Sequence, residues 1–228
     1  FVVGPGNPCF IIAEAGVNHN GDINLAHQLV DQAFNVGANA IKFQSFKAAE
    51  LVSAKAPKAE YQIVTTGGNQ SQFEMLKSLE LTLEEMEQIK KHCDNLGIMF
   101  LCTPYDHESV YALDKLNIPA FKIASADIVH IPLLRQMAST KRPLLLSTGM
   151  SDLAEVEDAV AVMISSGAKD NFILLHCTSE YPASIAESNL KAIVTLIQAF
   201  NCPVGFSDHT PGTIASQLAV ALGACVIE

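Results

Sequence analysis

The chain has 228 residues, 49% of them hydrophobic and 17% charged, which is enough apolar side chain for one well-filled core and short of a case for two. Its formal net charge of −10 argues against a nucleic-acid or membrane-surface partner, since both demand a basic face. Any anionic ligand must be held by a local cluster of donors.

The sequence has no Arg-rich start, no signal-like apolar segment and no uninterrupted apolar span of about 20 residues of the kind a bilayer requires. A soluble cytoplasmic protein is expected. The six cysteines (Cys9, Cys93, Cys102, Cys177, Cys202 and Cys225) lie mostly in apolar runs without metal-ribbon spacing, so they read as reduced core residues.

In chain order, Cys9-Phe-Ile-Ile-Ala-Glu-Ala-Gly16 forms a first short apolar run with Glu14 near its end. The polar turn Val17 to Asp22 follows, and Asp22 is placed to cap a helix from Ile23 to about Val36. Gly37 should stop that helix. The same grammar then repeats. Apolar runs recur at Asn39 to Ser45, Gly97 to Pro104, Ala120 to Ser125, Pro143 to Gly149, Phe172 to Thr178, Pro203 to His209 and Ala224 to Glu228, giving eight in all. Helical patterns separate most of them, including Leu83 to Asn95, Leu153 to Ser166, Asn189 to Phe200 and Thr213 to Leu222, and Thr82 with Glu85 has the form of a capping box.

Near-continuous apolar strands alternating with helices imply a parallel sheet covered on both faces. Eight such units favour a closed (β/α)8 TIM barrel, a single domain over residues 1–228. An open doubly wound sheet is the alternative, but the first strand leads into Gly16-Val-Asn-His-Asn-Gly21 and not a GxGxxG turn. The connection from Phe46 to about Leu81 is long enough to cover a site, with a short helix around Phe73 to Ser78. No helix follows the eighth strand, so the barrel is expected to lack its last helix.

In a parallel barrel, function sits at the carboxyl ends of the strands. Polar residues gather there: Glu14, Lys42 with Gln44, Thr103, Lys122 with Ser125 and Asp127, Ser147 with Thr148, His176 with Thr178 and Tyr181, Ser207 with Asp208 and His209, and Glu228. Singly, threonines at strand ends are turn formers and caps. Lys42 and Lys122 carry more information, because each sits inside an apolar run where an unpaired ammonium is costly. Two fixed lysines with the hydroxyls of Thr103, Ser125, Ser147 and Ser207 make a cradle for a phosphate or carboxylate. Lysines snorkelling to the rim are the bland alternative. His209, beside Asp208, suits a transition metal or a local hydrogen bond. His176 should face the core, His19 serves either a substrate or its own turn, and the other histidines read as helix or loop residues.

The ordered strings Ile11-Ile-Ala-Glu-Ala-Gly-Val-Asn-His-Asn-Gly21, Ile41-Lys-Phe-Gln44, Thr103-Pro104, Phe121-Lys-Ile-Ala-Ser-Ala-Asp127, Leu146-Ser-Thr-Gly-Met150, His176-Cys-Thr-Ser-Glu-Tyr-Pro182 and Gly205-Phe-Ser-Asp-His-Thr210 resemble the N-acetylneuraminate (sialic acid) synthase family, which includes legionaminate and spore-coat polysaccharide synthases. The resemblance implies condensation of phosphoenolpyruvate with the aldehyde of an N-acetylated hexosamine such as N-acetylmannosamine, releasing phosphate. It also implies a divalent metal, Mn²⁺ first with Mg²⁺ or Co²⁺ as alternatives, and a homodimer in the full-length form.

Carried over by position, Lys42, Thr103, Lys122, Ser125, Ser147 and Ser207 would bind phosphoenolpyruvate, and Glu14 would act near the reacting carbons. Gln44, Asp127, Ser179 and Tyr181 would line the substrate site, with Ser179 standing where some members carry Asn. His209 would be one of two metal histidines. The resemblance further places the second histidine, the last helix and a small antifreeze-like domain after Glu228, so these 228 residues are expected to hold metal poorly and to lack the substrate lid.

The segment Lys58-Ala-Glu-Tyr-Gln62 with Gln72-Phe-Glu-Met-Leu76 looks like the sialic or legionaminic branch. Three other readings stay open: a related synthase acting on a phosphorylated sugar, a Schiff-base aldolase using Lys122, and a non-catalytic barrel fragment.

Overall fold

A computed structural model describes residues 2–58 and 70–228. Residues 59–69, which carry most of the Lys58 to Gln62 segment, lie outside the described residues.

The described elements run β1 (Phe10–Gly16), α1 (Ile23–Asn35), β2 (Ala40–Ser45), α2 (Ala48–Leu51), α3 (Gln72–Leu79), α4 (Leu83–Leu96), β3 (Met99–Pro104), α5 (His107–Lys115), β4 (Phe121–Ile123), a 3₁₀ turn (Ser125–Asp127), α6 (Ile131–Ser139), β5 (Leu144–Ser147), α7 (Leu153–Ser165), β6 (Phe172–Cys177), a second 3₁₀ turn (Ile185–Glu187), α8 (Lys191–Phe200), β7 (Val204–Ser207), α9 (Ile214–Ala221) and β8 (Val226–Ile227). Neighbouring strands pair in parallel in chain order, and β8 closes on β1 through Phe10 with Val226 and Ile11 with Ile227. The expected TIM barrel is therefore present, and the open sheet is excluded by that closing pair.

Local chemistry sets the helix ends. Asp22 accepts the Asn24 N–H at 2.8 Å to start α1, and Gly37 follows its end at φ +79°. The Thr82 and Glu85 capping box is present at α4, with Glu85 accepting from the Thr82 N–H at 2.7 Å and Thr82 accepting from the Glu85 N–H at 3.2 Å. Two further such boxes, Ser71 with Glu74 and Asp152 with Glu155, start α3 and α7.

The core has two layers because strand side chains alternate. One set (Ile41, Phe43, Phe100, Phe121, Ile123, Leu144, Leu146, Leu174, Val204 and Phe206) packs outward on the helices, against residues such as Val30, Ile89, Leu113, Met137, Val160 and Ile193. The other set (Phe10, Ile12, Ala40, Leu101, Ala120, Leu145, Leu175 and Val226) fills the barrel interior. Each fully buried large apolar side chain contributes about 1.5–3 kcal/mol relative to exposure. Gly205 belongs to the inward set by its position in β7, and a Cβ there would meet Leu175 and Val226, so the lumen has no room for one. His176 faces the outer layer as expected, bonding the Ser188 carbonyl at 2.7 Å and stacking on Phe206.

Candidate active site

The inward alternation that fills the lumen with Ile12, Ala40, Leu101, Ala120, Leu145, Leu175 and Val226 changes character one step further along each strand. The next inward positions are Glu14, Lys42, Thr103, Lys122, Ser147, Cys177 and Glu228, joined by Ser207 on β7. An apolar plug thus carries a polar ring at the carboxyl end of the barrel.

Two lysines dominate the ring, both nearly sequestered from solvent, at 5% exposure for Lys42 and 4% for Lys122. Lys42 Nζ lies 2.6 Å from Glu14 Oε2 and donates to Thr103 Oγ1 at 3.5 Å. Glu228 stands between the lysines, with Oε1 3.6 Å from Lys42 Nζ and Oε2 3.6 Å from Lys122 Nζ. Ser207 donates its hydroxyl to Glu228 Oε2 at 2.7 Å, and Lys122 also donates to the Ile123 carbonyl at 3.1 Å. Glu14 is paired in register with Lys42 and followed by a bulge before Gly16, and its side chain remains 41% exposed toward the mouth.

The charges respond accordingly. Burial opposes the charged form of Lys42, but Glu228 and Glu14 outweigh it and raise its pKa above the ordinary lysine value. Burial lowers Lys122, which has Glu228 alone as a close counterion and feels Lys42 as a like charge. For Glu228, burial pulls upward while Lys122, Lys42 and the Ser207 hydroxyl hold the carboxyl below its usual range. Asp127 behaves differently. Burial pushes it up to about 6, against the opposing pull of His130 and Lys122.

Ser125 lies in the 3₁₀ turn that follows β4, a strand shorter than the sequence suggested. Its Oγ accepts the Gly149 N–H at 2.9 Å and sits 3.1 Å from Cys177 Sγ. A Cβ on Gly149 would collide with Ser179 Oγ, Cys177 Sγ and Ser125 Oγ, so glycine is required for β5 to deliver its end against these groups. Of the four buried side-chain atoms without a hydrogen-bond partner among the described residues, Ser147 Oγ, Asp127 Oδ2 and Glu228 Oε1 belong to this region. Such orphans are costly unless a ligand or water completes them.

His209 bonds the Thr178 carbonyl through Nδ1 at 2.6 Å. A carbonyl only accepts, so Nδ1 carries a hydrogen, and in the neutral ring Nε2, 3.4 Å from Ser207 Oγ, is left with its lone pair. That orientation suits a metal ligand, but no group of three or more His, Cys, Asp or Glu able to hold a metal exists among the described residues. His209 therefore supplies one donor and not a complete site. The ring of Tyr181 lies 4.2 Å from that of His209, centroid to centroid.

Lys42, Glu14, Thr103 and Lys122 with Ser207 are thus drawn together directly, and Ser125 is tied to the Gly149 backbone, which abuts Ser179. Gln44 sits one inward step beyond Lys42, near Gly16. His19 serves its turn, with Nδ1 accepting the Gly21 N–H at 3.0 Å. The sequence reading counted Glu228 among the strand-end polar residues without giving it a role, and it passed over Cys177 and Tyr105 as site residues. For Cys177 and Tyr105 the inward parity of their strands was the available signal, and Cys177 lines the ring instead of the outer core.

The model of the NeuB family matches residues 29–228. The chain is 51% identical over 219 residues to N,N'-diacetyllegionaminic acid synthase of Campylobacter jejuni, covering 96% of this chain and 66% of that protein. It is 49% identical to the synthase of the same description from Legionella pneumophila, covering 96% and 63%. The chain therefore spans less than two thirds of either relative. The crystal structure of N-acetylneuraminic acid (sialic acid) synthetase from Leptospira borgpetersenii superposes with a TM-score of 0.88 at 38% identity, covering 99% of this chain and 74% of that one. The family model's match over most of the chain, together with relatives about 50% identical along 96% of it, places this chain in the NeuB family.

Proposed function

We propose that the protein to which this chain belongs condenses phosphoenolpyruvate with the open-chain aldehyde of an N-acetylated hexosamine, giving a nonulosonic acid of the sialic or legionaminic type and phosphate. The observation that carries this reading is the pair of buried lysines facing each other across Glu228 within a ring that also carries hydroxyls. Two ammoniums in a closed lumen suit a small, multiply charged anion and need no basic protein surface.

In this reading Lys42, Lys122, Thr103, Ser125, Ser147 and Ser207 hold the phosphate and carboxylate of phosphoenolpyruvate. Gln44, Asp127, Ser179 and Tyr181 line the space for the sugar. Carbon 3 of the enol attacks the aldehyde carbon, and the aldehyde oxygen takes up a proton to become a hydroxyl. Water adds at carbon 2, giving up its proton, and the tetrahedral centre then expels phosphate. Glu14, hydrogen-bonded to Lys42 and open to the mouth, is the group placed to hold or move these protons. A divalent metal, Mn²⁺ by preference, would polarise the aldehyde oxygen, with the Nε2 of His209 as one of its ligands. None of the residue roles above depends on it.

The test is phosphate release by the full-length protein from phosphoenolpyruvate, with and without N-acetylmannosamine and its diacetylated and phosphorylated analogues. Release that requires a free N-acetylated sugar supports the proposal, and no release across the panel sinks it. The lowered pKa of Lys122 favours a second reading, an aldolase forming an imine through its amine. Borohydride trapping of pyruvate on Lys122 would support that alternative.

A further inference from the structure

Tyr105 follows the last residue of β3, where Pro104 suggests that the strand has finished. The ladder nevertheless continues, because the Tyr105 N–H donates to the Ser45 carbonyl at 3.0 Å. Inward positions on β3 are Met99, Leu101 and Thr103, so Tyr105 has the parity that turns it over the barrel mouth, directly above Thr103. Its ring stands edge-on to Phe46, with centroids 6.3 Å apart and planes at 78°. That contact fixes the ring at the base of the long β2 connection.

The phenol feels the charges of Lys42, Glu14, Asp127 and Tyr181. Groups assigned to phosphoenolpyruvate and groups assigned to the sugar are thus both within its electrostatic reach. Its Oη is not among the orphaned buried atoms and makes no hydrogen bond to a described residue. Burial, only partly offset by Lys42, raises its pKa, so the phenol remains protonated and can both donate and accept.

We propose that Tyr105 is a substrate-contacting specificity residue, whose Oη hydrogen-bonds an oxygen of the acceptor sugar as the aldehyde is brought against phosphoenolpyruvate. This rests on the condensation proposed above. A tyrosine kept only for its ring would serve Phe46 equally well as phenylalanine, and this separates the two roles.

The experiment compares the full-length wild type with Tyr105→Phe, measuring KM for phosphoenolpyruvate and for the acceptor, kcat, and the thermal midpoint. Loss of one neutral hydrogen bond predicts a fall of about tenfold in kcat/KM for the acceptor. The KM for phosphoenolpyruvate and the thermal midpoint should not change. Unaltered acceptor kinetics, or an effect confined to phosphoenolpyruvate, overturns the inference while leaving the proposed reaction standing. A wild type that releases no phosphate with any acceptor overturns both.

Discussion

Lys122 Nζ stands 3.6 Å from Glu228 Oε2, and both side chains are almost wholly buried, at 5% and 6% exposure. Lys122 interrupts an apolar strand, and this carboxylate is the anion that stabilises it. Because the other Glu228 oxygen faces Lys42, one residue at the end of β8 balances the charges on β2 and β4. A ligand anion entering the ring must share the lysines with Glu228.

Replacing Glu228 by Gln should therefore strand Lys122 with only the Ile123 carbonyl, whereas Lys42 keeps Glu14. Breaking a buried pair in this way costs about 3 kcal/mol or more. Urea unfolding of the full-length protein should show that loss, and added phosphate should recover part of it. Equal midpoints for variant and wild type would mean that the pair contributes nothing.

The reciprocal change, Lys122→Ala, should behave differently. Glu228 keeps Lys42 and the Ser207 hydroxyl, so the fold should survive. Affinity for phosphoenolpyruvate should fall by at least about 30-fold, the effect of truncating one member of a buried charge pair. Titration calorimetry reads this directly, and retained binding would remove Lys122 from the cradle.

Asp127 sets a pH dependence of stability. Its pKa is about 6 in the folded chain, above the unfolded value of 3.8, so the folded state binds the proton more tightly. Its contribution is most favourable below pH 4 and is lost as pH rises through 6. Asp127→Asn should therefore stabilise the protein at pH 7.5 by roughly 1–2 kcal/mol, a figure discounted for partial solvent access, with no gain near pH 4. Thermal midpoints across that range would check the trend, and a gain that grows toward low pH would contradict it.

Gly149→Ala tests the close approach of β5 to the ring. The added methyl meets Ser179, Cys177 and Ser125, and overpacking of this kind costs about 1–3 kcal/mol. Because the methyl displaces Ser125, binding of phosphoenolpyruvate should weaken together with the melting temperature. A variant with normal binding and stability would show that the strand end can move aside.

Helix caps were readable because their chemistry is local. Asp22 needs only the N–H of Asn24, and Thr82 and Glu85 need only each other. Inward polar residues such as Lys42, Thr103 and Ser147 were readable for a similar reason, since strand alternation fixes their face once the barrel is assumed. Tyr105 was missed although it has the inward parity, because Pro104 looks like the end of β3 while a hydrogen bond to Ser45 carries the ladder past it. β4 was read too long, and the early turn to 3₁₀ at Ser125 brings that hydroxyl to Gly149 and Cys177.

By itself the sequence determined the eight apolar strand runs, most of the helices between them, the parallel barrel they imply and the polar residues at the strand ends, because these depend on periodicity and on neighbours a few residues apart. Only the tertiary structure decided that Glu228 bridges Lys42 and Lys122, that Cys177 joins the polar ring and that His209 presents Nε2. Those relationships arise when closure of β8 on β1 brings distant strand ends within a few ångströms, and no local pattern encodes which buried charge will face which.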